Sequence, residues 1–98
     1  MRLSKFEQNV IKKTAEDIFG KNTAVYIFGS RTDEKCRGGD IDIYIKCSND
    51  TYTLQDKIRY VVELEKVLGM QKIDVIINDQ SRKVKPIFRV AEETGIRL

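Results

Sequence analysis

The sequence predicts a two-layer α/β domain of the α/β or α+β kind, and three observations carry that prediction. Segments of helical period alternate with short β-branched runs in the order α-β-β-α-β-α. One run, Asp40 to Cys47, alternates strictly, with Ile41, Ile43, Ile45 and Cys47 on one face and Asp40, Asp42, Tyr44 and Lys46 on the other. The composition, 41% hydrophobic and 34% charged over 98 residues, suits one small folded unit, 1–98, with a single modest core.

Each element has its own signal. Ser4-Lys5-Phe6-Glu7 has the form of a capping box, in which each side chain satisfies a free backbone N–H at a helix start. Phe6, Val10, Ile11, Ala15, Ile18 and Phe19 follow at helical spacing up to a stop at Gly20. Ala24–Phe28, bounded by Asn22 and Gly29, reads as a buried strand. Residues 29–39 are rich in glycine and charge and read as a loop; Asp40–Cys47 is the second strand, ended by Ser48-Asn-Asp50. Leu54, Ile58, Val61, Val62, Glu65 and Leu68 mark the inner stripe of a second long helix that stops at Gly69. Lys72–Ile77 is the third strand, Asn78–Ser81 a turn, and a last helix runs from Pro86, suited to a first helical position, to Thr94. Ile96-Arg97-Leu98 adds a short closing strand.

Several function classes are excluded early. With no histidine and no Cys-x-x-Cys pair, the chain has neither an imidazole base nor a structural zinc site. No apolar run approaches the roughly 18 residues of a membrane span, and Met1–Lys5 leads into a polar amphipathic stretch unlike a signal peptide. The cytoplasm is therefore the expected compartment, where a Cys36–Cys47 disulfide is disfavoured. Of 18 basic and 15 acidic residues, five and two lie in 81–98, so the whole excess of +3 sits at that end. A basic end can meet phosphates, yet it equally fits a solvated helix face, and nucleic acid is not the expected partner.

The chemistry lies in the aspartates. Aspartate is disfavoured in strands, because a short charged side chain packs poorly on a half-buried pleat. Positions i and i+2 of a strand share a face about 6–7 Å apart, so Asp40 and Asp42 stand side by side. Ile73, Val75 and Ile77 match Ile41, Ile43 and Ile45 in parity; if both sets line the core, Asp74 joins the pair on the opposite face. Three converging carboxylates repel unless a cation neutralises them, and magnesium, a hard oxygen-seeking ion, is the natural one. Two such ions about 3.5–4 Å apart suit an in-line phosphoryl displacement. An Asp-x-Asp alone would fit the polar outer face of an amphipathic sheet as well, as would Tyr44 and Lys46. The third aspartate and the Gly29-Ser30 turn shift the balance, since backbone N–H groups at a tight turn and a serine hydroxyl suit a triphosphate tail.

Gly29-Ser30, nine residues, then Asp40-Ile41-Asp42 closely resembles the signature of the DNA polymerase β-like nucleotidyltransferases. Asp74 in Lys72–Ile77 is similar to their third metal-binding carboxylate, and the ending Pro86–Leu98 resembles that of the minimal nucleotidyltransferase group. The resemblance spans roughly residues 4–98 and implies a nucleotidyltransferase palm, a small mixed β-sheet with helices packed on one face. It also implies transfer of a nucleoside monophosphate, AMP from ATP or another NTP, with release of pyrophosphate. On that basis Asp40, Asp42 and Asp74 are the catalytic and magnesium-holding residues, with two ions expected. Gly29, Ser30 and Arg31 are the nucleotide-binding ones.

The same resemblance implies an acceptor hydroxyl on another protein, a tyrosine of a HEPN-type ribonuclease, with the chain as antitoxin of a toxin–antitoxin pair or completed by a further copy of itself. A binding module that neutralises its partner by contact alone is the competing reading. Tyr26 and Phe28 are expected in sheet packing, Tyr44 as an exposed strand tyrosine or the lining of a nucleotide pocket, and Cys36 is assigned no role.

Overall fold

The computed structural model describes residues 3–29, 40–47, 53–69, 71–78 and 85–98. Its elements run α1 (Lys5–Phe19), β1 (Ala24–Phe28), β2 (Ile41–Lys46), α2 (Leu54–Leu68), β3 (Ile73–Asn78), α3 (Pro86–Thr94) and β4 (Ile96–Arg97). The predicted order is borne out, with the second strand trimmed to exclude Asp40 and Cys47 and the third moved on by one residue. The expected loop 30–39 and the turn 79–81 lie outside the described residues.

Both long helices begin on reciprocal caps. The Ser4 hydroxyl accepts from Glu7 N at 3.1 Å while Glu7 Oε1 accepts from Ser4 N at 2.9 Å. Thr53 and Asp56 repeat the arrangement at the start of α2, a Thr-x-x-Asp variant of the same device. Each such cap is worth about 1 kcal/mol.

The four strands form one mixed sheet in the order β3-β2-β1-β4. β1 pairs antiparallel with β2 and with β4, whereas β2 and β3 run parallel. A parallel neighbour requires a long crossover, and α2 supplies it. Ile41, Ile43 and Ile45 of β2, Val25 and Ile27 of β1 and Val75 of β3 face α1 and α2, and most of the core lies there. Tyr60 joins the two helices: its hydroxyl donates to the Ile11 carbonyl at 2.9 Å and its ring meets Phe19 edge-on at 5.5 Å.

Two expectations change. The inner stripe of α2 is Tyr60, Leu64 and Leu68, with Val61 half-buried beside them; Leu54, Ile58 and Val62 are exposed. The helix carries two apolar arcs, and the one with a tyrosine long enough to reach the Ile11 carbonyl of α1 turned inward. The helices are also not all on one face. α1 and α2 share a face as expected, but α3 lies across the other, where Phe88 and Ala91 bury Tyr44 with Tyr26, Phe28 and Ile76 around it. Among the described residues no helix is long and apolar enough to cross a membrane.

Candidate active site

The even-numbered residues of β2 and β3 face away from α1 and α2, and the register aligns them. Asp42 is opposite Asp74 in the parallel pair, and Phe28 is opposite Asp42 in the antiparallel one. The ladder is held at both ends, by Ile41 N donating to Lys72 O at 2.9 Å and by Cys47 N donating to Asn78 O at 3.0 Å. The isoleucine alternation of two strands thereby sets two carboxylates side by side on neighbouring strands, as their parity predicts. Asp40 stands one residue before β2, half-buried like Asp42, while Asp74 is exposed on the outer strand.

Gly29 completes this corner. It follows β1 directly, with φ +77°, a conformation that glycine adopts without strain. A Cβ added there would collide with Oδ2 of Asp42. The absence of a side chain is thus what lets the turn after β1 and the central carboxylate come together.

Asp42 is raised from its ordinary value of 3.8, first by burial, then by the negative charges of Asp74 and Asp40, with Lys72 pulling the other way. Lys72 was not singled out in the sequence, although its position two residues before Asp74 places it on the same parity.

Along the same face the polar pattern closes into a buried network. Tyr44 is fully buried rather than exposed; its hydroxyl donates to Glu92 Oε2 at 2.9 Å and accepts from Asn78 Nδ2 at 3.0 Å. Lys46 Nζ adds an ion pair to Glu92 Oε1 at 3.2 Å. The Tyr44 ring stacks at a tilt with Tyr26 and Phe88, each at 5.5 Å. This network fixes α3 beside the acidic corner and fills the space in which Tyr44 would have lined a nucleotide pocket. Glu92, 48 residues from Tyr44, carries no local signal of this partnership.

The model for polymerase beta nucleotidyltransferases matches residues 9–96, nearly the whole chain. The chain belongs to this nucleotidyltransferase family. A search of curated proteins finds no match. For this nucleotidyltransferase the matched span takes in Gly29, Asp40, Asp42 and Asp74 together.

The donor set fits a hard divalent cation. Its carboxylate oxygens gather around Asp42, which is raised first by burial and then by Asp74 and Asp40, a cost that a cation would relieve. Among the described residues no group of three or more carboxylates, thiols and imidazoles forms a ready cage. Ser30 and Arg31 lie outside the described residues.

Proposed function

We propose that this nucleotidyltransferase moves a nucleoside monophosphate, AMP from ATP in the first instance, onto the hydroxyl of an acceptor protein. The observation that carries the reading is the register of Asp42 against Asp74 with Gly29 pressed to Asp42. Asp40, Asp42 and Asp74 would hold magnesium, which when bound stabilises charge on the reacting phosphate oxygens. Gly29, Ser30 and Arg31 serve the β- and γ-phosphates. Asp74, exposed on the outer strand, faces the side from which an acceptor approaches; it orients the hydroxyl and accepts its proton. A bond forms between that oxygen and the α-phosphorus, the α–β bridging bond breaks, and pyrophosphate leaves with the electron pair.

The likeness to the minimal nucleotidyltransferases supports a tyrosine of a HEPN-type ribonuclease as acceptor, and so an antitoxin acting in the cytoplasm. The test is transfer of labelled nucleotide from ATP and magnesium to such a partner, with Asp42→Asn as control. Loss of transfer in the variant is expected; full activity in Asp42→Asn overturns the mechanism. The exposed apolar residues Leu54, Ile58 and Val62 favour a second reading, neutralisation by contact alone. It prevails if an Asp40→Asn/Asp42→Asn protein still neutralises the partner in full.

A further inference from the structure

A cleft of about 170 Å³ opens at the β3 edge of the sheet, lined by Lys57 of α2, Ile76 and Ile77 of β3, and Lys85, Ile87 and Phe88 at the start of α3. Ile76 lies two residues beyond Asp74 on the same face, about 6–7 Å along the strand. Ile77 points to the opposite face, so the cleft wraps around the edge strand. Among the described residues no carboxylate lines it and neither lysine makes an ion pair. Cavities of about 150 Å³ take one aromatic ring. A notch of single-side-chain size, walled by isoleucines and Phe88 and bordered by two lysines, is complementary to an apolar group with acidic neighbours.

We propose that this cleft docks the acceptor: one apolar or aromatic side chain enters between Ile76, Ile87 and Phe88, and acidic residues beside it meet Lys57 and Lys85. The inference rests on the transferase reading above and adds the chemistry of the segment the enzyme chooses. Polarity along the strand also sets direction. The carboxylates at Asp42 and Asp74 repel an acidic flank, so that flank is held at the lysine end while the acceptor hydroxyl points toward Asp74.

Two synthetic peptides test this, one tyrosine flanked by glutamates and the same tyrosine flanked by lysines. Binding is followed without nucleotide by chemical-shift mapping, and transfer with labelled ATP and magnesium. The glutamate peptide is expected to bind, shifting Ile76, Ile87 and Phe88, and to be the preferred acceptor. In a Lys57→Glu/Lys85→Glu protein its KM should rise about tenfold with kcat held, and the preference should pass to the lysine peptide. Affinity for magnesium–ATP, read by calorimetry, should not move. Shifts in the cleft without transfer leave docking standing and refute the transferase reading. Docking is overturned if the glutamate peptide fails to bind, if shifts fall elsewhere, or if the peptides are equal acceptors. A charge-reversed protein that keeps the original preference overturns it too.

Discussion

Replacing Gly29 by alanine separates the chemistry of the acidic corner from its stability. Glycine at φ +77° is unstrained, whereas an L-residue in the left-handed region costs about 1–2 kcal/mol. For a domain of this size that corresponds to a fall in Tm of about 4–16 °C. The new Cβ would also collide with Oδ2 of Asp42 and come within 3.2 Å of its Cγ. Asp42 is only half-buried, so its carboxylate turns away before the strand moves. Stability therefore falls by the backbone strain plus about 0.5–1.5 kcal/mol for forcing the Asp42 side chain off its rotamer. Transfer falls much further, by about 100-fold for a displacement near 1 Å at a reacting centre. Urea denaturation and labelled-nucleotide transfer measure the two effects separately. In an Asp42→Gly background the stability cost of Gly29→Ala should shrink to the strain alone, which a double-mutant cycle reads as a coupling. Near-wild-type transfer from a folded Gly29→Ala protein would refute the close approach of turn and carboxylate. A cycle with no coupling would do the same.

Three further outcomes follow from the same face of the sheet. Asp42 is raised above 3.8, so its contribution to stability is present below that pH and is lost as pH climbs through the folded value; Asp42→Asn should abolish this dependence and leave the metal-free protein at least as stable at neutral pH, as thermal unfolding across the acid range will show. Tyr44→Phe keeps the ring packing but removes the hydroxyl that bonds Glu92 Oε2 and Asn78 Nδ2, at a cost of about 1–3 kcal/mol by urea denaturation, and a neutral result would show the network to be idle. The Tyr44 phenol is pushed from 10.0 up to about 12, mainly by burial, so its share of stability holds below pH 10 and is lost toward pH 12, which an ultraviolet titration of tyrosinate will follow.

Much of the fold could be read from local pattern, because the cues that set these elements are local. The Ser4–Glu7 cap, the Pro86 start, the stops at Gly20 and Gly69 and the isoleucine alternation all act within a few residues. The matched parity of Asp42 and Asp74 was legible for the same reason, although nothing short of the pairing could show that they stand opposite one another. What escaped depends on tertiary choice. Tyr44 alternates with isoleucines and so reads as an exposed strand residue; only the folding of α3 over that face buries it. α2 offers two apolar arcs, and the inward one carries Tyr60, whose hydroxyl finds the Ile11 carbonyl 49 residues away in sequence.

The parallel pairing of β2 and β3 also makes the alignment of the aspartates a by-product of burial. A slip of β3 by one residue would turn Ile73, Val75 and Ile77 onto the face that carries Asp42 and α3 and drive Lys72 and Asp74 into the space under α1 and α2. Such a misfolded form loses its core at the moment it loses its carboxylate pair. The hydrophobic side of the sheet thus proofreads the acidic side, and chains that survive folding carry Asp42 and Asp74 in step without any contact between the aspartates having to enforce it.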